Sequence, residues 1–197
     1  MAISYPLDTP TTIGIESIEL RAVNAVATSQ SPFTYKQQVI SHGGQKWEAS
    51  VNIPPVRRDL AAPWKSMLVS LKGPTGTFLL GDPDYVTPQG TVSSCTLSGT
   101  AGDETPTVTM TGSLKAGDYI QLGSAGNSRL HQVLEDQSGS GTLEIWPALR
   151  VTYTNATGTV TFNNPRGVFR LASNVTSWSI NNTSAYGISF EAVEALT

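Results

Sequence analysis

Between Lys46 and Ile53 the chain alternates strictly, with Trp47, Ala49, Val51 and Ile53 against Lys46, Glu48, Ser50 and Asn52. Apolar residues at period two, on one side only, dictate a β-strand with one buried face. Pro54-Pro55 is expected to stop that strand, because proline cannot donate to a ladder. The period then changes. Leu60, Trp64, Met67, Leu68 and Leu71 recur at helical spacing and predict an amphipathic helix over about 59–72. Asp59 is the expected N-cap, Pro63 falls near the first turn, and Gly73-Pro74 ends the helix. One face of a sheet and one helical stripe must therefore cover each other.

The remaining segments read as strands. Glu16 to Val26 alternates loosely, Phe33 to Val39 follows the turn residues Ser31-Pro32, and His42-Gly43-Gly44 is the expected hairpin turn. Thr77 to Leu80 is a short strand closed by Gly81-Asp82-Pro83. After Pro88 the chain becomes rich in Thr, Ser and Gly, with strands expected at 91–98, 106–112, 118–123, 129–135, 142–146 and 158–162. That rhythm predicts a small barrel or sandwich. After Asn164 the first style returns, with strands at Gly167–Leu171, Ser177–Ile180 and from Tyr186 onward. The economical arrangement is one β domain from 1–88 plus 165–197, carrying the helix, and an inserted small β-barrel over 89–164.

Composition removes several function classes. Charged residues make up 14% of the 197, against about 25% in ordinary soluble domains. A surface poor in charge suits coverage by partner subunits, although neutral Thr, Ser and Asn also keep a monomer soluble. The net charge of −3 gives no basic footprint for tight nucleic-acid binding. Cys95 stands alone, so no intrachain disulfide or cysteine metal cluster is expected. No apolar run approaches the roughly 20 residues of a membrane span. The N-terminus lacks the basic and apolar regions of a signal peptide, so a product made in the cytoplasm and no membrane partner are expected.

Catalytic patterns are missing too. His42 and His131 lie far apart without metal-ligand spacing, and no nucleophile elbow, Walker loop or dinucleotide fingerprint occurs. Asp82, Asp84, Asp103, Glu104 and Asp118 do not match a calcium loop. The expectation is a protein that is not an enzyme and needs no cofactor or metal. Trp47 and Trp64 are candidate core anchors. Trp146 and Trp178 lie near strand ends and suit either core or interface. Arg57, Arg58, Arg166 and Arg170 are candidate intersubunit hydrogen bonders or solvated surface.

The tracts SPFTYKQQV, GGQKWEASVNIPP, RRDLAAPWKSMLVSLKG and GTFLLGDP, followed by KAGDY, WPALR and NPRGVFRLA, resemble the distal tail proteins of long-tailed bacteriophages. The resemblance covers nearly the whole chain. It implies a tail-tube-like β-sandwich with one flanking helix and an inserted barrel, repeated around a ring, expected to be a homo-hexamer. Such a ring joins the tail tube protein to the tail-tip hub protein or baseplate and lets DNA pass through its lumen. The tape measure protein is a further implied partner, and the virion tail tip the implied location. The large C-terminal carbohydrate-binding domain of bigger members is not expected in this chain. The alternative reading of the same Thr- and Ser-rich strands is a carbohydrate-binding β-sandwich module.

Overall fold

The computed structural model describes residues 3–154, 160–182 and 184–196. In chain order the elements are β1 (Ser17–Gln30), β2 (Gln37–Val56), α1 (Arg58–Ser70), β3 (Phe78–Leu80), β4 (Ser94–Ser98), β5 (Thr107–Thr111), β6 (Ser113–Leu114), β7 (Tyr119–Leu122) and β8 (Arg129–Val133). They continue with β9 (Gln137–Ser138), β10 (Gly141–Thr142), β11 (Ile145–Trp146), β12 (Val160–Thr161), β13 (Gly167–Leu171), β14 (Trp178–Ile180) and β15 (Tyr186–Glu194). The fold is mainly β with one α-helix and four antiparallel sheets among the described residues.

The largest sheet has the order β1-β2-β15-β13-β3, with β14 also on β15. The last strand in the chain thus sits beside the second, so both ends of the sequence build one sheet. Trp47, Ala49, Val51 and Ile53 are buried on one face, as the alternation requires. Ala61, Trp64, Met67, Leu68 and Leu71 join the same core, with Phe78, Phe169 and Phe190. The helix is therefore the cover of this face. Trp64 packs its ring 6.2 Å from Phe190 and donates from Nε1 to the carbonyl of Ile13.

Three local expectations are corrected. The helix begins at Arg58, with Arg57 at the N-cap and no side-chain capping bond; Asp59 lies in the first turn, where its charge favours the helix dipole. Its inward face takes Ala61 rather than Leu60, which is 38% exposed. Pro54-Pro55 does not stop β2. Val56 faces Tyr186 and Ile53 faces Ile188, so the two prolines share the single residue Gly187 in a bulge, where a missing N–H costs no ladder bond.

The third correction is the largest. His42-Gly43-Gly44 is no hairpin turn. β1 and β2 pair across it, from Asn24 opposite Gln45 to Val26 opposite Ser41, leaving His42, Gly43 and Gly44 against Ala25 as a bulge. Gly43 takes φ +69°, which glycine adopts at little cost. The real turn is Ser31–Lys36, closed by Ser31 N–H to Lys36 carbonyl and Tyr35 N–H to Ser31 carbonyl. Phe33 to Lys36, expected in a strand, lie in that turn.

Residues between β3 and β13 build three small sheets, β10-β5-β4, β11-β8-β7-β12 and β6-β9. These enclose a second core that includes Leu97, Val108, Ile120, Leu122, Val133 and Leu143. The expected strand at 142–146 is two short ones, and the one at 158–162 is described only from Val160. Asp118 is fully buried here, and its carboxylate accepts N–H bonds from Gln89, Gly90 and Lys115. It ties down the point where the chain enters this lobe.

Candidate assembly surface

β2 pairs with β15 only from Glu48 onward. Beyond that point β1 and β2 continue as a two-stranded arm, from Val26 opposite Ser41 to Gln30 opposite Gln37. At about 3.3 Å per residue the stretch from Asn24 to Gln30 spans roughly 20 Å. Every residue of the arm's strands is exposed, on both faces. The exposed apolar side chains are Val26, Val39, Ile40, Phe33 at 91% and Tyr35 at 74%. No carboxylate occurs from Asn24 to Gln45. A two-stranded ribbon of this kind is marginal alone in water.

β1 is also the open edge of the large sheet, whereas Leu7 bridges to Phe78 at the opposite edge and exchanges backbone bonds with Thr77 and Leu79. The sheet face turned away from α1 carries Arg21, Lys46 and Glu48, with Lys46 Nζ 2.8 Å from Glu48 Oε1 and Arg21 Nε 4.0 Å from Glu48 Oε2. The Lys46 ammonium holds the Glu48 carboxyl below its usual range.

The root of the arm is packed against the inserted lobe. Trp47, 3% exposed, meets the Trp146 ring edge-on at 4.5 Å and Tyr119 at 6.1 Å, and donates from Nε1 to the Leu130 carbonyl. Glu194 accepts from the Trp47 N–H and from Nε and Nη2 of Arg150. Arg129 donates to the Ala195 carbonyl. His131 is fully buried and donates from Nδ1 to the Pro147 carbonyl at 2.6 Å, which leaves Nε2 as a buried lone pair with no partner among the described residues.

Burial, with smaller contributions from Arg150 and Arg129, outweighs the Pro147 bond and brings the His131 imidazole down to about 4. The unfolded chain takes this proton near pH 6.5 and the folded chain only near 4. Stability from this group is complete above about pH 6.5 and is lost as pH falls toward 4, by roughly 3 kcal/mol. Urea unfolding at pH 7 and 4.5 checks this. His131→Gln should lose that part of the pH dependence.

The candidate residues do not converge on one patch. Trp64 is core, and Trp146 is half-buried in the seam, donating from Nε1 to Asn24 Oδ1. Arg57 and Arg58 are exposed and line a groove of about 540 Å³ with Asp59, Ala62 and Ser184. Arg166 is engaged within the chain, its guanidinium on Asp8 at 2.8 Å and its N–H on Gln121. Arg170 is half-buried on β13 opposite Val193, and its buried Nε has no partner among the described residues. The Trp178 ring lies under the Lys65 ammonium, 5.1 Å away, which also covers Tyr186 at 4.5 Å.

The arm and the Arg150–Glu194 pair were not singled out in the sequence. The only signal for the arm was Phe33 and Tyr35 beside Ser31-Pro32, and nothing in spacing joins Arg150 to Glu194. Among the described residues no group of three His, Cys, Asp or Glu side chains gathers to hold a metal, and no helix is long and apolar enough to cross a membrane. No protein-family model matches the sequence, and no curated protein matches it significantly.

Proposed function

We propose that the chain is a structural protein of a bacteriophage tail tip. Six copies form a closed ring that connects the tail tube protein to the hub of the tail tip, with DNA passing through the lumen and the tape measure protein as a further partner. The observation that carries this reading is the exposed β1–β2 arm beside the open β1 edge. Exposed edges and apolar ribbons invite pairing with another chain. A closed ring supplies each copy with a neighbour and leaves no copy uncovered. The sequence tracts that resemble distal tail proteins supply the identity of the assembly. Arg57, Arg58 and Arg170, whose guanidinium groups make no ion pair among the described residues, are the arginines that suit contacts between copies.

The test is to replace residues 26–41 by an Asn-Gly turn, which suits a two-residue hairpin. The shortened chain should keep its thermal midpoint, because the arm shares no core. It should fail to form rings and fail to restore tails in a strain lacking the gene. Full assembly without the arm would overturn the reading.

One observation favours the alternative of a carbohydrate-binding module. A groove of about 610 Å³ is lined in part by the polar residues Ser17, Asn52, Ser177, Ser179 and Ser189, with Trp178 and other apolar residues among the rest. Calorimetric titration with cell-wall oligosaccharides separates the two. Saccharide binding by a chain that stays monomeric on the tail-free and tail-bound side alike would favour the module.

A further inference from the structure

We propose that the inserted lobe is a clamp that sets the direction of the arm, gripping both of its strands at the root while the bulge beyond serves as the hinge. The grip comes from the segment Ile145–Arg150. Trp146 Nε1 donates to Asn24 Oδ1 on β1 at 2.9 Å. On β2, Gln45 Oε1 accepts from the Ala148 N–H and its carbonyl accepts from Arg150 Nη2, both at 2.6 Å. Gln45 Nε2 also donates to Glu104 Oε1 at 2.7 Å. Asn24 and Gln45 are directly opposed and form the last regular pair before the irregularity.

Immediately outward, Ala25 faces the three residues His42, Gly43 and Gly44. An insertion of this kind bends and twists a ribbon and weakens its ladder. Past it, among the described residues, the hydrogen bonds of the arm join only its own residues. Among the described residues, nothing but the root therefore fixes where the arm points. The clamp is in turn referenced to the main core, through the Arg150–Glu194 pair, the Trp47–Trp146 contact and the bond from Trp47 to Leu130. A partner that displaces the lobe would release the arm, and a partner that seizes the arm would be felt by the lobe, since such coupling is reciprocal. This holds whatever the arm meets.

The test places spin labels at Ser29→Cys on the arm and Ser66→Cys on α1, in a Cys95→Ala chain. Labelled chain is diluted into unlabelled chain, so that only distances within one copy are read. The intact clamp should give one narrow distance distribution. Gln45→Met with Trp146→Phe, which removes the Trp146–Asn24 and Gln45–Ala148 bonds and leaves only the Arg150 bond to the Gln45 carbonyl, should broaden the distribution by roughly twofold or shift its maximum. An unchanged distribution in a folded variant would overturn the proposal and assign the arm's direction to the bulge alone. Should that double variant not fold, Glu104→Ala removes one exposed bond to Gln45. It should give a smaller broadening, and no broadening there overturns the proposal equally.

Discussion

Trp47→Ala is expected to lower the free energy of unfolding by about 3–5 kcal/mol, the usual cost of truncating a buried aromatic. That is a large share of the roughly 5–15 kcal/mol that holds a domain together. The loss should exceed that of an ordinary core position because Trp47 serves two lobes. Its ring fills the face under the sheet and contacts Trp146 and Tyr119 across the seam, and its Nε1 satisfies the Leu130 carbonyl. Trp47→Phe retains much of the packing and loses the donor, so about 1–2 kcal/mol is expected. Urea unfolding followed by circular dichroism measures both. An unchanged midpoint for Trp47→Ala would mean that the inward face of β2 is wrongly assigned.

Arg150→Ala is expected to cost a similar amount for a different reason. The Glu194 side chain is 2% exposed and its charge is met by the Arg150 guanidinium at 2.8 Å. Removing one partner strands the other charge away from water, which typically costs about 3–5 kcal/mol. Replacing both, as Arg150→Met with Glu194→Gln, removes the charge as well as the pair and should recover most of the loss. The comparison is Lys115→Ala, which breaks the Lys115–Asp136 pair on the open surface, 48% and 60% exposed, and should barely move the midpoint. Equal effects of Arg150→Ala and Lys115→Ala would show that the seam does not hold the two lobes together.

The sequence was most legible where periodicity is imposed by a single buried face. Trp47 to Ile53 could be placed because every second residue is apolar, and the helix because Trp64, Met67, Leu68 and Leu71 repeat at its own period. Turn chemistry was read less well. His42-Gly43-Gly44 carries the residues of a tight turn, yet it forms a bulge, because a glycine at positive φ serves either purpose and only the pairing of distant residues decides between them. Pro54-Pro55 misled for the same reason. Its cost depends on whether a partner carbonyl waits opposite, and there β15 offers only Gly187.

The candidate surface was legible only in part. An arm exposed on both faces has no inside and therefore no alternation to find, so Phe33 and Tyr35 looked like strand residues. The seam around Gln45, Arg150 and Glu194 joins positions more than forty residues apart, through bonds that composition and spacing do not encode. For Trp146 the sequence left core and interface equally open. In the folded chain it contacts Trp47 on one side and the arm root on the other.

The proposed ring of this chain at a phage tail tip is tested most directly by cryo-electron microscopy of the particles assembled from the genome that carries its gene. Six copies in one closed ring between tube and hub are expected, each extending its β1–β2 arm onto a neighbour. A single copy per tail, a filament running along the tube, or a virion without the chain would contradict it.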